Sequence, residues 1–253
     1  MRMNAFESNY EVRYEMVDNM GVMKPRSVVE LLMESAIKNC LSVGYSVFDM
    51  MKDGLGWILR GGSCVISGLP RYSEKIRIRS WASKWSPFQG RREFVLIDEK
   101  GNSLVRCSSV WAMIDLVKRL PCKVADIFRR KWAFDDSKAT DSLLIKSPLE
   151  IGSIISSKEF KVMRRDMDSN MHVHNLSYVD WVFETIPEQY FAKGITGISG
   201  SFLREIVGVD DVRCVVGMDD CGNLVHNVVS CDGDVTFATG RTTWASERRD
   251  DAV

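Results

Sequence analysis

RDMDSNMHVHNLSYVDWVFETIP, residues 165–187, changes character at its midpoint. Its first part places Asp168, Asn170 and His172 at alternate positions. In an extended chain all three side chains leave on one face. Its second part carries Leu176, Val179, Val182, Phe183 and Ile186 at spacings of three and four, the apolar stripe of a helix, and Pro187 stops it. A polar triplet therefore precedes a helix whose positive dipole end and first N–H groups point back at it. Such an arrangement suits polarising a carbonyl oxygen. It equally suits plain capping by Asn170 or Asn175, with His172 satisfying a buried hydrogen bond.

Working outward, strand-like runs follow at 198–207, 213–218, 224–230 and 235–245, and one precedes at 160–164. The first half has the same order. A short strand at 10–14 leads to a long helix after Pro25, striped by Val28, Leu31, Leu32, Ser35, Ala36 and Cys40 and ended near Gly44. Strands follow at 57–67 (with a bulge at Gly61–Gly62), 75–81, 92–97 and 104–114. An offset of 150 aligns Asp18 with Asp168, Val12 with Val162, Ser27 with Ser177, Val29 with Val179 and Glu34 with Glu184. A looser echo, SVWA at 109–112 and TTWA at 242–245, closes each half. The chain thus reads as two copies of one unit.

The copies differ where chemistry is expected. Asn170 aligns with Met20 and His172 with Val22, so the polar triplet belongs to the second copy alone. A residue needed to fold the unit belongs in both. Asp168, whose partner is Asp18, keeps a structural reading as a turn residue. His226 has no local context and reads as a surface residue.

Composition narrows the field. The 253 residues are 45% hydrophobic and 27% charged with a formal charge of +0, which gives no electrostatic case for nucleic acid. No apolar run is long enough to span a membrane. The first residues resemble neither a secretory signal nor a transit peptide. Seven scattered cysteines, with no CxxC pair, suggest reduced thiols in a cytoplasm and neither a metal site nor a disulfide framework. Domain organisation follows the repeat: a first unit at 1–116, a connector at 117–150 lying across the outside, and a second unit at 151–253 that carries the polar residues.

A long helix wrapped by a curved antiparallel sheet, built twice, resembles the tandem (double) hotdog fold, of the α+β class. The motif Asp168-x-Asn170-x-His172-Val173-x-Asn175, followed by Tyr178, Trp181 and Glu184, resembles the signature of the acyl-acyl carrier protein thioesterases, plant plastid enzymes and their bacterial relatives. The first half agrees at Tyr10–Arg13, Gly56–Leu59 and Ser109–Ile114, so the similarity runs from Tyr10 to Ala245. The resemblance implies hydrolysis of a fatty acyl thioester on acyl carrier protein (ACP), with no cofactor and no metal. It implies a fourth residue, Glu205, on the strand after the second helix. Many plant members follow that Glu with Cys; here Ile206 stands there, which favours attack by water. His174 stands where the family commonly has Asn.

The resemblance also places the acyl tunnel in the first copy, with Met33, Ile37, Trp57 and Leu59 as substrate-binding candidates, each with core packing as the alternative. Basic pairs at 91–92, 118–119, 129–131 and 164–165 are candidates for a rim facing an acidic carrier protein. The helix-start N–H groups at 173–175 are candidate carbonyl donors. Either Asp168 or Glu205 serves as general base. An acyl-CoA thioesterase, a non-catalytic acyl-binding protein and a homodimer all remain compatible with these residues.

Overall fold

The computed structural model describes residues 5–141, 144–169, 172–208 and 211–246. The chain divides into two compact units, 1–142 and 143–253.

In the first unit, β1 (Phe6–Glu11), α1 (Pro25–Ser42) and α2 (Val47–Lys52) precede β2 (Leu55–Ile66), β3 (Lys75–Trp85), β4 (Gln89–Asp98) and β5 (Ser103–Asp115). The strands pair antiparallel in the order β1-β3-β4-β5-β2. Pro25 sits at the first helical turn of α1, where its missing N–H costs nothing. The stripe predicted from sequence is the buried face: Val28, Leu31, Leu32, Ser35, Ala36 and Cys40. Gly44, at φ 79°, turns the chain after the helix. The register slips between Leu59 and Gly61, and Gly61 takes φ 152°, so the double glycine is a bulge.

The second unit repeats this plan. β7 (Ser153–Lys161), α4 (Asn175–Thr185) and a short α5 (Glu188–Phe191) precede β8 (Ile195–Phe202), β9 (Asp211–Met218), β10 (Leu224–Ser230) and β11 (Thr236–Trp244). The order is β7-β9-β10-β11-β8, position for position that of the first unit. α4 packs on β7, β9 and β10. Tyr178 and Trp181 bury into a core with Ile206, Val212, Val216 and Phe237. The SVWA and TTWA echo has a physical basis: Trp111 Nε1 donates to Ser109 Oγ at 2.8 Å, and Trp244 Nε1 to Thr242 Oγ1 at 2.9 Å.

The stretch expected to lie outside as a connector behaves differently in its first part. β6 (Leu120–Pro121) pairs with β5, and α3 (Asp126–Lys131) inserts Phe128, fully buried, among Trp57, Trp132 and Tyr45. Beyond it, residues 137–140 are fastened to the sheet. Glu93, 0% exposed, accepts from Ser83 at 2.5 Å, from Arg91 at 2.7 Å and from the Ala139 N–H at 2.9 Å, and Ser108 joins the same cluster. Trp81 Nε1 donates to Ser137 O at 3.0 Å. Such polar fastening gives no hydrophobic period, which is why the sequence reads as a loose strap.

Candidate active site

The site residues hang on a tight loop, not on an extended strand. A 3-10 turn at Arg164–Asp166 leads to a bridge between Met167 and Val173. Asp168 N–H donates to His172 O at 2.8 Å, and His172 N–H returns a bond to Asp168 Oδ1 at 3.0 Å. Asp168 and His172 therefore face each other across the loop mouth. These bonds curl the chain between Asp168 and His172, so the extended backbone expected to set the side chains on one face is not formed there. Asn170 lies outside the described residues.

From the loop the chain enters α4 directly. His174 is the N-cap: its Nδ1 accepts from the Leu176 N–H at 3.1 Å. The His174 N–H donates to Asp166 O at 2.6 Å, and Ser177 Oγ reaches Asp166 Oδ1 at 3.2 Å. His174 thus supplies the capping acceptor that an Asn would supply. Its N–H is already engaged and drops out of the carbonyl donors expected at 173–175.

Glu205 is displaced from its expected place. β8 ends at Phe202, because Leu203 and Arg204 both turn their N–H groups onto Phe237 O. Glu205 lies in the irregular segment beyond, its side chain 46% exposed. This removes the cost of burying a carboxylate on an apolar strand. Its Oε1 stands 3.9 Å from His172 Nδ1, and the His172 side chain is 22% exposed. A carboxylate beside a half-buried imidazole, both open to solvent on one side, can hold and deprotonate a water molecule.

His226 is 2% exposed, not a surface residue. Its Nε2 lies 2.8 Å from Thr242 Oγ1, and burial pushes its pKa down to about 3, so it is neutral. The strand alternation Leu224, His226, Val228 carried that signal, since all three face inward. Arg92 is likewise no rim residue: it is 3% exposed, donates to Asn39 Oδ1 at 2.5 Å and stacks 3.9 Å from the Trp132 ring. Arg91 is tied to Glu93. Of the basic runs, Lys118, Arg119, Arg130, Lys131, Arg164 and Arg165 are exposed.

The acyl-pocket candidates separate. Met33 and Leu59 are half-buried, and Trp57 stacks on Trp132 at 5.7 Å within the aromatic cluster. Ile37 is 46% exposed, off the face that α1 buries. Among the described residues no group of His, Cys, Asp or Glu is arranged to hold a metal, and no helix is long and apolar enough to cross a membrane.

Two matching units, each a sheet ordered around one helix, with His172 and Glu205 beside the second helix start, define a tandem hotdog protein. The chain belongs to the acyl-ACP thioesterase family: residues 3–132 match the acyl-ACP thioesterase N-terminal domain and residues 153–246 the acyl-ACP thioesterase C-terminal domain. It is similar to a chloroplastic acyl-[acyl-carrier-protein] hydrolase of Cuphea viscosissima, 24% identical over 95% of this chain. The chain spans only 62% of that relative's length. Among solved structures, a 12:0-ACP thioesterase from Umbellularia californica shares the fold at TM-score 0.82 and 22% identity, over 95% of this chain and 96% of that one. An acyl-ACP thioesterase from Bacteroides thetaiotaomicron does so at TM-score 0.78 and 18% identity, over 95% and 97%.

Proposed function

We propose that this protein hydrolyses the thioester between a fatty acyl chain and the phosphopantetheine arm of ACP, releasing free fatty acid, and that it does so in the cytoplasm. The observation that carries the reading is the pairing of His172 with Glu205 at 3.9 Å beside the α4 start, in a chain of this family. Glu205 is the general base, directly or through His172. Asp168 is the weaker candidate, since its Oδ1 already holds the loop through the His172 N–H. Water loses its proton to the base as its oxygen attacks the carbonyl carbon. The Asn170 amide polarises that carbonyl. The C–S bond breaks, and the base returns the proton to the departing thiolate. Ile206 excludes a cysteine nucleophile directly after Glu205. Arg164 and Arg165, exposed just before the site loop, present positive charge to an acidic carrier protein.

The test is thiol release from a panel of acyl-ACP esters, medium to long chain, beside the matching CoA esters, with His172→Ala in parallel. Release favouring ACP esters and falling about 10²–10⁴-fold in the variant is expected. Equal rates on both carriers would reassign the substrate to a broader class, and binding without release would leave an acyl-binding protein.

A further inference from the structure

A short hairpin at one end of the first unit has a tip that the chemistry above does not use. β5 and β6 pair through Ile114 with Pro121 and Asp115 with Leu120, and residues 116–119 turn between them. Every residue of the turn is fastened. The Leu116 N–H donates to Gly54 O at 2.7 Å and the Arg119 N–H to Asp115 O at 2.8 Å. Asp115 Oδ1 accepts from the Val117 and Lys118 N–H groups at 3.0 and 2.9 Å. Arg119 takes φ 56°, in the left-handed region where Gly or Asn is the ordinary occupant. This rigid turn holds outward Val117, 85% exposed, then Lys118 and Arg119, then Leu120, 61% exposed. Apolar side chains at the apex of a turn are the reverse of what water favours.

The surroundings continue the pattern. α2 leads into Gly54 at the hairpin base and exposes Phe48. The end of α1 exposes Leu41, and Lys131 Nζ donates to Val43 O just beyond it at 3.1 Å. Residues 117–131 hold six cations, Lys118, Arg119, Lys123, Arg129, Arg130 and Lys131, against one anion, Asp126, in a chain of formal charge +0. The acids at this end are engaged locally: Asp115 in the turn, Asp49 in the α2 cap, Asp53 with Tyr45 Oη at 2.6 Å and Asp126 with Arg130 at 3.8 Å.

We propose that this tip is a docking point for the surface of an anionic lipid bilayer: Val117 and Leu120 enter the headgroup region while Lys118, Arg119 and the cations of α3 face the lipid phosphates. Shape and charge together choose the occupant. An interface with a folded protein needs a broad, matched surface. A projecting apolar pair set among cations needs only a soft anionic plane. Such binding is reversible and screened by salt. The proposal does not rest on the hydrolase reading.

The experiment is co-sedimentation of the full chain with vesicles of phosphatidylcholine alone and of equal parts phosphatidylcholine and phosphatidylglycerol. Binding to the mixed vesicles is expected to be about 10-fold tighter or more, and to fall about 10-fold between low and physiological salt. The double variant Val117→Ser, Leu120→Ser should bind the mixed vesicles about 10-fold more weakly, and Lys118→Glu, Arg119→Glu more weakly still. Both should release thiol from soluble acyl-ACP at the wild-type rate. Arg119→Gly relieves the left-handed backbone, so its unfolding temperature should hold or rise while vesicle binding weakens, which separates the tip's binding from its folding. No preference for the anionic vesicles, or undiminished binding by Val117→Ser, Leu120→Ser, would overturn the proposal. A wild type that ignores vesicles, beside a Lys118→Glu, Arg119→Glu protein that no longer hydrolyses acyl-ACP, would give the cations to a protein partner and overturn it too. Should the wild type hydrolyse no ester, the reading of the activity fails, while the vesicle measurements still decide the role of the tip.

Discussion

The loops that lead into α1 and α4 are the same device with different side chains. Met16 O accepts from the Lys24 N–H at 2.8 Å, and Asp166 O from the His174 N–H at 2.6 Å. Asp18 Oδ1 accepts from the Val22 N–H at 3.0 Å, and Asp168 Oδ1 from the His172 N–H at 3.0 Å. Val17 bridges Met23 as Met167 bridges Val173. These bonds agree at the offset of 150. The first loop nevertheless presents Val22, and its helix start lacks a side-chain cap. The second presents His172 and is capped by His174. The comparison separates what folds the loop from what the loop carries. The aspartate is shared, which fits a part in the folding; the histidines are not, which fits the part in hydrolysis and its support proposed for them.

The largest way to probe the difference between the units lies in their interiors. Both sheets place a polar group on the helix-facing side of the next-to-last strand in chain order, Arg92 on β4 and His226 on β10. His226 is held neutral, its folded pKa about 3 against 6.5 for the free side chain. The unfolded chain therefore binds the proton more readily. This contribution to stability is intact above about pH 6.5 and is lost by about 1.4 kcal/mol per pH unit as the pH falls toward 3. Urea unfolding across that window should show the slope in the wild type and a flatter line in His226→Gln. A slope of equal size in the variant would locate the acid sensitivity elsewhere.

A smaller effect tests the shared aspartates. Asp18→Ala and Asp168→Ala should each cost about 1–2 kcal/mol, since each removes an acceptor from loop N–H groups. Asp168→Asn keeps an acceptor oxygen and should retain most of the activity. An Asp168→Asn protein as inactive as Glu205→Gln would make Asp168 the base after all. Smallest is the cap. His174→Lys copies the residue of the first loop and should cost about 1 kcal/mol, while His174→Asn should restore the loss, both read by thermal unfolding.

The fold was legible because its evidence is periodic. The stripe of α1 is its buried face and both sheets repeat one pairing order, whereas α4 buries Ser177, Tyr178, Trp181 and Thr185 in place of Val179, Val182 and Phe183. The place of Glu205 was not legible. The apolar run at 198–207 continues past the residue where the ladder stops, and only the turn of Leu203 and Arg204 onto Phe237 O ends the strand. The tight loop was hidden for a related reason. A spacing of two is shared by strands and by loops closed through an aspartate, and the decisive bonds run to backbone atoms. His226 and Arg92 were readable in part: each alternates with inward-facing apolar residues, a pattern that outweighs the usual preference of charged groups for solvent.

The loop-to-helix device also has a consequence for the order of assembly. Its bonds join residues two to eleven apart, from Leu176 with His174 to Ser177 with Asp166. Closing such short loops costs little chain entropy. Glu205, by contrast, follows His172 by more than thirty residues and is bracketed by contacts that need α4 and β8 already in place. The histidine is thus set by local structure, while its acid partner waits for long-range contacts that form slowly. Residues 164–185 are made before residue 205, but α4 packs on β9 and β10, which follow it, so both sides of the proposed site are fixed only once the sheet has closed.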